Sequence, residues 1–367
     1  MLKNNRLLGS FKNNFSHRGE FVRDQTNPIA IDLFSGAGGL TVGLKQAGFN
    51  VLAGVEFDST AAKTYRLNHG HAVYENDIRK LDPHKILVDL GLKPGELDLL
   101  AGCPPCQGFS TLGTRNKGST KNDERNELVF EFARFVETMR PKTIMMENVP
   151  RLASDWRAQK LKELLSDWGY LITDSSIQIK DVAKYGGPQR RKRMILVATR
   201  LAGEITNPTQ NISSTVRAAI GALPLPGHSG DELHDYHENR TAKTKELIAL
   251  VPHDGGSRHD LPKEYWLPCH LRYPNGYKDV YGRMKWDTVS PTITGGCTNP
   301  SKGRFLHPEQ NRAITLREAS LLQTFPPEYK FPLDRGKDRV ALMIGNALPP
   351  AFIKLHAVEI FKHLRMQ

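Results

Sequence analysis

The chain has 367 residues, 39% hydrophobic and 25% charged, which supports a sizeable core and excludes wholesale disorder. Its net charge of +12 fits a polyanionic partner such as nucleic acid as well as it fits a merely soluble basic protein. No apolar run approaches the roughly 20 residues of a membrane span, and the polar, basic N-terminus is unlike a secretory signal. Four cysteines are too few for a disulfide framework in so long a chain, so we expect a reducing, cytoplasmic setting.

The first elements predict a nucleotide-binding sheet. Residues 27–34 read NPIAIDLF, a short apolar run after a proline that is typical of a buried parallel strand. The glycine-rich run SGAGGL follows, and then TVGLKQAG, whose apolar spacing and terminal Gly48 predict a helix. The next run, NVLAGVEFD, predicts a second strand that ends in acidic residues. This order opens a doubly wound α/β sheet.

The glycine loop indicates a ligand close to the backbone. Gly36, Gly38 and Gly39 lack a Cβ and tolerate positive φ. Glu56 follows about 20 residues later, where a carboxylate can accept hydrogen bonds from ribose hydroxyls. The loop has neither the full G-x-G-x-x-G of dinucleotide-binding proteins nor the Lys-Ser/Thr pair of a P-loop. It therefore favours a nucleoside-type cofactor, and a tight strand-to-helix turn is the structural alternative.

Further along the chain, apolar runs predict strands at 97–102, 142–148 and 193–199, with a helix over 123–141. From residue 201 onward Pro, Gly, His and Thr become frequent and long periodic segments vanish. Helical periodicity returns in TLREASLLQTF and AFIKLHAVEIFKHL. We predict a flexible basic leader over 1–27, a catalytic domain over 28–200, a smaller irregular domain over 201–325 and a C-terminal segment over 326–367 that returns to the catalytic domain.

Two cysteines flank a pair of prolines directly after the predicted strand 97–102, in GCPPCQGFS. Cys103 and Cys106 could form half of a tetrahedral zinc site, but Cys269 and Cys297 supply no second C-x-x-C pair. A thioredoxin-type redox pair fits poorly with two prolines between the cysteines. A nucleophilic thiolate on a stiff loop is the remaining functional interpretation, and a buried inert cysteine is the structural one.

An acid and a basic cluster follow. Glu147 ends the predicted strand 142–148, so its carboxylate points into the crevice where ligands of such sheets bind, although a capping or salt-bridging acid is the alternative. Residues 189–193 read QRRKR and lead into the next strand, where the period of two sends Arg191 and Arg193 to the same side. Taken alone, such a cluster is more often a solvated face than a site.

In order, the blocks DLFSGAGGL, PPCQGFS, ENVPR, QRRKR, REASLLQTFP and IGNALPP resemble the DNA (cytosine-5)-methyltransferase family. The resemblance runs from about residue 28 to the C-terminus and leaves out about 201–290. An adenine or exocyclic-cytosine methylase would carry an Asp/Asn-Pro-Pro-aromatic motif, where this chain has Cys-Pro-Pro-Cys. The resemblance implies a mixed sheet with helices on both faces, S-adenosylmethionine as the cofactor, no metal, and a small target-recognition domain.

The resemblance also carries site residues over by position. Cys106 would add to carbon 6 of a flipped-out cytosine, and Glu147 would hydrogen-bond ring nitrogen 3 and the exocyclic amine. Arg191 would hold the carbonyl oxygen of the base, and Arg193 would orient Glu147 or the loop. The positions that match the cofactor pocket are Phe34, Gly36, Gly39, Glu56, Phe57, Asp77, Ile78, Pro105, Leu128, Asn346 and Leu348. The family often has Trp where Phe57 stands, and the match at Asn346 implies that the terminal helix folds back beside the first motif.

We expect the region 201–325 to recognise a sequence in double-stranded DNA. Thr292 lies in SPTITGG, which resembles the recognition-domain core of the family, and is expected to contact a phosphate. The loop 111–126, rich in Gly, Ser and Lys, is expected to close over the DNA, with an ordinary surface loop as the alternative. The candidate DNA-binding residues are Ser110, Gln189, Arg258, Arg272, Arg283, Lys285, Thr292 and Arg304.

Two other functions fit the sequence less well. A tRNA cytosine methylase of the same family would carry a Cys-Phe-Thr run in its second domain, and this chain has none. A catalytically silent DNA-binding or regulatory subunit is disfavoured by the intact Cys106, Glu147 and Arg191. We therefore predict a monomeric bacterial or phage modification enzyme, associated with the nucleoid in the cytoplasm. It would be an orphan or the partner of a restriction endonuclease that forms no stable complex with it.

Overall fold

A seven-stranded mixed sheet forms the centre of the protein. The computed structural model describes residues 27–70, 72–105, 124–210, 213–236, 238–276 and 278–367. Its strands are β1 (Ile29–Leu33), β2 (Asn50–Glu56), β3 (Ala72–Glu75), β4 (Leu99–Gly102), β5 (Thr143–Asn148), β6 (Ile177–Asp181) and β7 (Lys192–Thr199). Their order in the sheet is β3-β2-β1-β4-β5-β7-β6, with β7 antiparallel to both of its neighbours and the other pairs parallel. The predicted mixed α/β sheet is confirmed.

Helices connect the strands and extend the fold beyond the sheet. The described part of the chain contains α1 (Gly39–Gln46), α2 (Ser59–His69), α3 (Pro83–Asp89), α4 (Leu128–Met139), α5 (Trp156–Asp167), α6 (Val216–Ile220), α7 (Glu232–Asp235), α8 (Ala242–Leu250), α9 (Pro268–Arg272), α10 (Leu316–Leu322), α11 (Lys337–Asn346) and α12 (Pro350–Arg365). The first five alternate with the strands up to β6, as in other parallel α/β sheets. Those from α6 to α9 are short and separated by irregular backbone.

Strand β1 shows why the sheet needs helices on both faces. Ile31 and Leu33 pack into a core shared with α3, α4 and α5. Ala30 points to the opposite face, where α1 and α12 supply the neighbours. A strand buried on both sides reads as a continuous apolar run rather than as an alternation, and this pattern is why it could be predicted from the sequence.

The last helix packs against the first. Leu40 and Leu44 of α1 share a buried cluster with Phe352 and Ile353 of α12. A Cβ added to Gly43 would lie 2.6 Å from the Cβ of Ile353, so the two backbones approach as closely as they do only because this position is glycine. The C-terminal segment therefore lies beside the glycine loop and the first strand.

One stretch of the described residues, Lys337–Arg365, is long and apolar enough to cross a membrane, with a mean hydropathy of 1.2. It consists of α11 and α12 with a break at 347–349. Of the 18-residue window within it that meets this hydropathy, 67% is buried inside the protein. The prediction from the sequence concerned uninterrupted runs of apolar residues. The 18-residue window also includes polar residues, so the two statements agree.

Residues beyond 213 build two further clusters. The larger one gathers side chains from α6, α7, α10 and α11, and it includes Ala37 and Val42 from the neighbourhood of the glycine loop. A smaller one joins α8 to the loops that carry Val280 and Leu306. The irregular part of the chain thus has its own apolar interior but also packs on the first helix. The domain boundaries at 201 and 325 stay predictions.

Candidate active site

The glycine loop turns sharply from β1 into α1. Phe34, Gly36 and Gly38 have φ angles of 57°, 55° and 96°, in the left-handed region. The amide of Gly36 donates a hydrogen bond to Glu56 Oε2 at 2.7 Å. A Cβ added to Gly36 would meet no atom within 4 Å. The loop therefore borders open space at the carboxyl edge of the sheet, beside an acidic side chain.

Glu56 links this loop to the start of α2. Its second carboxylate oxygen accepts a hydrogen bond from the amide of Asp58 at 2.7 Å. Burial raises the pKa of Glu56, and the amides of Asp58 and Gly36 oppose that shift. The next side chain, Phe57, is 74% exposed. A held carboxylate and a free aromatic ring next to an open backbone loop suit a ligand with a ribose and a flat heterocycle.

Four other predicted cofactor residues lie at the same edge. Asp77 follows β3, and the Arg79 guanidinium that hydrogen-bonds it lowers the pKa of its carboxyl. Ile78 is 4% exposed and packs into the main core. Pro105 follows β4 and is half-buried, and Leu128 begins α4.

The C-terminal segment that contains Asn346 and Leu348, two predicted cofactor positions, lies against α1. Asn346 is exposed at the last residue of α11, whereas Leu348 is 5% exposed. The carbonyl oxygen of Leu348 would lie 2.6 Å from a Cβ on Gly39, so the segment after α11 rests directly on the first turn of α1. The structure thus brings the predicted loop and C-terminal positions together.

Glu147 and Arg193 form an ion pair across β5 and β7. Arg193 Nε lies 2.6 Å from Glu147 Oε1, and Glu147 is 6% exposed. Glu147 is paired with Ile195 in the antiparallel register, so Arg193, two residues earlier, faces the same side. Burial raises the pKa of Glu147, and the positive charges of Arg193 and Arg191 oppose that shift. The contact is the one that an orienting role for Arg193 requires.

Arg191 is buried at 4% exposure and joins three parts of the chain. Its Nη1 donates to the carbonyl oxygens of Ile293, at 3.0 Å, and Gly345, at 3.1 Å. Its Nε finds no hydrogen-bond partner among the described residues. Burial, reinforced by the charge of Arg193, lowers the pKa of Arg191 to about 9. The guanidinium therefore sits in a desolvated place with a donor still available.

The predicted nucleophile, Cys106, and Ser110 lie outside the described residues. The residues that lead to them are anchored. The amide of Cys103 donates to the carbonyl of Leu33 at 3.2 Å, and Asn148 Nδ2 donates to the carbonyl of Pro104 at 2.9 Å. Sequence reasoning assigned no role to Asn148, although a buried amide directly after Glu147 is a signal of such an anchor. No group of three or more His, Cys, Asp or Glu in the described ranges could hold a metal ion.

The prediction that Arg258 and Arg283 contact DNA is wrong for this structure, because both are 0% exposed. Arg258 donates to the carbonyl of Gly276, and its guanidinium lies 5.1 Å from the ring of Trp266. Arg283 donates to the carbonyl oxygens of Ile248, Val251, His307 and Gln310 and to the Asn311 side chain. Both arginines hold irregular loops together from inside.

Gln189 is likewise fully buried, which contradicts its predicted contact with DNA. Its amide donates to the Leu322 carbonyl and to the Gln323 side chain, and its oxygen accepts from the Ile293 amide. Gln323 in turn donates to the carbonyl of Ala347. The pair therefore joins the segment before β7 to α10 and to the segment that contains Thr292.

The other candidates for DNA binding remain nearer the surface. Arg272 and Lys285 are exposed. The Thr292 hydroxyl donates to the Arg190 carbonyl at 2.6 Å. Arg304, whose side chain is 26% exposed, lies 3.2 Å from Asp279 and donates to the carbonyl of Gly255. Their contacts with DNA stay predictions.

A family model described as C-5 cytosine-specific DNA methylase matches residues 29–362. The chain belongs to this family. It is an S-adenosylmethionine-dependent DNA cytosine-5 methyltransferase, and the predicted family and activity are confirmed.

Two relatives agree with the family assignment, and one solved structure agrees with the fold. The type II methylase M.HgiDII of Herpetosiphon aurantiacus is 38% identical over 91% of this chain and 95% of its own length. The type II methyltransferase M1.HphI of Haemophilus parahaemolyticus is 33% identical over 90% of this chain and 86% of its own. The structure of the methyltransferase EhMeth of Entamoeba histolytica superposes with a TM-score of 0.61 at 17% identity, covering 93% of this chain and 99% of that one. At that identity the likeness shows the fold alone.

Proposed function

We propose that the methyltransferase modifies carbon 5 of one cytosine within a specific sequence of double-stranded DNA, through a covalent adduct with Cys106. The Glu147–Arg193 ion pair carries this proposal. It lies where β5 ends beside β4, and the anchored residues Cys103–Pro105 lead from β4 to Cys106. A nucleophile and a held carboxyl can therefore act on the same ring.

The reaction needs a nucleophile because carbon 5 of an aromatic cytosine is unreactive. Addition of the Cys106 thiolate to carbon 6 turns the ring into an enamine and makes carbon 5 nucleophilic, which divides one hard step into easier ones. When bound, S-adenosylmethionine supplies an electrophilic methyl group. Loss of the carbon 5 proton to water and elimination of the thiolate then restore the aromatic ring.

Glu147 acts on the opposite edge of the base. Burial raises the pKa of its carboxyl, which favours the neutral form that donates to ring nitrogen 3 as negative charge develops there. Arg193 fixes the carboxyl from β7. Arg191, with its free Nε, holds the carbonyl oxygen of the base, and its charge favours the ionised form of the Cys106 thiol.

This attack comes from above the ring, so the cytosine must leave the duplex, at a cost of a few kcal/mol. The net charge of +12 attracts the DNA backbone. We assign phosphate or base contacts to Ser110, Arg272, Lys285, Thr292 and Arg304, leaving out the buried residues.

For the cofactor, the open space at Gly36 and the exposed ring of Phe57 fit an adenosine group. Glu56 would bind the ribose hydroxyls, and Asp77 with Ile78 would flank the adenine. The remaining pocket positions are Phe34, Gly39, Pro105, Leu128, Asn346 and Leu348.

The relatives named as type II enzymes support a role in restriction and modification. We assign the protein the modification step of such a system, as a cytoplasmic monomer that acts on nucleoid DNA, with a separate endonuclease recognising the same sequence. Bisulfite sequencing of DNA from cells that express the protein identifies the target. Protected cytosines in one short sequence support the assignment, whereas unmodified DNA contradicts it.

The covalent step has a direct test. A duplex that contains 5-fluorocytosine at the target cannot lose the carbon 5 substituent and should leave the protein cross-linked, with Cys106→Ser as the control. Labelled methyl transfer to ordinary DNA should disappear in Cys106→Ser and fall by about 10²–10⁴-fold in Glu147→Gln. Retained turnover in Cys106→Ser would overturn the mechanism.

A further inference from the structure

Cys103 and Glu147 are neighbours at the carboxyl ends of two adjacent strands, β4 and β5. Gly102 of β4 pairs with Met146 of β5 in parallel register, so the next residue of each strand is Cys103 and Glu147. The Cys103 thiol and the Glu147 carboxylate are close enough to interact, and each shifts the pKa of the other. Arg193 contacts the same carboxylate from β7, the strand on the other side of β5. The Glu147 carboxylate thus lies between Cys103 at the end of β4 and Arg193 on β7.

The surroundings keep the Cys103 thiol protonated. The groups that face it are Glu147 from β5, Asp32 from β1 and Arg193 from β7. Burial raises the pKa of this thiol well above its usual range, the charges of Glu147 and Asp32 raise it further, and only Arg193 opposes them. Cys103 is therefore a hydrogen-bond donor and not a second nucleophile beside Cys106.

One contact does not fix a glutamate. The terminal torsion of a Glu side chain is broad, so a carboxyl held only by Arg193 can rotate and present either oxygen to the base. A second donor from the opposite strand fixes the carboxyl plane, and a reacting group out of place by 1 Å can cost about 10²-fold in rate.

We propose that Cys103 is a positioning residue for methyl transfer, whose thiol donates a hydrogen bond to the Glu147 carboxyl and holds it in the orientation that meets ring nitrogen 3 of the cytosine. This inference rests on the proposed role of Glu147. The same hydrogen bond stabilises the ionised carboxylate, as do Arg193 and Arg191, and burial opposes all three. Its loss should therefore raise the pKa of Glu147 as well as loosen the carboxyl.

The test compares Cys103→Ala, which removes the donor, with Cys103→Ser, which keeps one, in the full-length protein. Cys269→Ala removes an exposed thiol away from these residues and is the matched control. Single-turnover methyl transfer is measured from about pH 5.5 to 9.5, with the KM for DNA and the Kd for S-adenosylmethionine. If Cys106 must be ionised and Glu147 neutral, the rate profile is bell-shaped and Glu147 governs its alkaline limb.

In Cys103→Ala we expect a rate about tenfold lower and an alkaline limb moved up by as much as about one pH unit, without change in either binding constant. Cys103→Ser should restore both the rate and the limb, and Cys269→Ala should match the wild type. A wild-type profile in Cys103→Ala would overturn the inference, as would a Ser variant as impaired as the Ala variant.

If Cys103→Ala does not fold, Cys103→Val fills the volume of the thiol without a donor and serves in its place. Glu147→Gln distinguishes a failure of the proposed role of Glu147 from a failure of its positioning by Cys103. A fully active Glu147→Gln would overturn the role of Glu147 itself. An inactive Glu147→Gln together with an unimpaired Cys103→Ala would overturn only the positioning by Cys103.

Discussion

The Thr41 hydroxyl donates a hydrogen bond of 2.7 Å to Asp32 Oδ2, and this bond joins the two ends of the glycine loop. The Thr41 hydroxyl has one proton, so at 2.9 Å from Tyr65 it accepts from the phenol. Asp32 is fully buried, and its Oδ1 has no hydrogen-bond partner in the described part of the chain. Burial raises its pKa to about 7. The loop thus rests on a carboxyl that titrates near neutrality.

This arrangement predicts a pH-dependent stability. Because the pKa of Asp32 is higher in the folded protein than its usual 3.8, its contribution to stability is fully present below about pH 4 and is lost as pH rises to about 7. Asp32→Asn should remove this loss. Urea unfolding at several pH values should therefore show the variant gaining stability relative to the wild type between those values.

Thr41→Val provides the control for that experiment. Without its hydrogen bond the pKa of Asp32 rises further, so the loss should extend to higher pH. A constant stability difference between Asp32→Asn and the wild type from pH 4 to 8 would contradict the prediction.

The Glu147–Arg193 pair predicts a loss of catalysis without a loss of cofactor. Arg193→Ala frees the buried carboxyl, and the single-turnover rate should fall by about 10²-fold. Arg193→Lys, which keeps the charge but not the planar guanidinium, should recover part of that rate. Binding of S-adenosylmethionine, measured by calorimetry, should stay unchanged in both. An Arg193→Ala variant with the wild-type rate would show that the pair is only structural.

Substitution of Arg283 should lower stability, and substitution of Arg272 should weaken DNA binding. Arg283→Ala leaves several buried carbonyl oxygens without a donor and should cost roughly 3–5 kcal/mol of unfolding free energy. Arg272→Ala, on an exposed residue, should leave stability unchanged and lower the slope of log binding constant against log salt by about 1. Denaturant unfolding and salt-dependent DNA binding measure the two effects. A stable Arg283→Ala variant with weakened DNA binding would restore the prediction made from the sequence.

Gly43 should tolerate alanine poorly although it lies in a helix. An exposed Gly→Ala change in a helix stabilises by about 1 kcal/mol, but here the added Cβ would lie 2.6 Å from the Cβ of Ile353. We expect Gly43→Ala to destabilise by about 1–3 kcal/mol. In the double variant with Ile353→Ala the two costs should be less than additive, because the smaller side chain makes room. Additive costs would contradict close packing.

The sequence predicted the central strands because burial on both faces makes them continuous apolar runs, as in β1 and β5. It missed β3 and β6, which lie at the two edges of the sheet. Ala72 and Glu75 of β3 are exposed, so that strand shows neither an apolar run nor a clear alternation. Pairing with a neighbour, which no local pattern encodes, makes these segments strands.

For the site, the strand period placed Arg191 and Arg193 on the same side, and the family resemblance assigned Arg193 to Glu147 or the loop. The sequence could not show that Cys103 lies beside Glu147 or that Asn148 holds Pro104, because both depend on which strands are neighbours. Nor could it distinguish a buried arginine from an exposed one. Arg283 is buried and Arg272 is exposed because of the path that the irregular loops take, which no local sequence pattern predicts.

The contact between α1 and α12 has a consequence for biosynthesis. Leu40 and Leu44 are made early, but their partners Phe352 and Ile353 leave the ribosome some three hundred residues later. Until then the nascent polypeptide exposes an apolar surface beside its first strand, so the sheet should reach its final packing only after α12 has been synthesised. Chaperone occupancy of the growing chain should therefore persist until α12 has emerged.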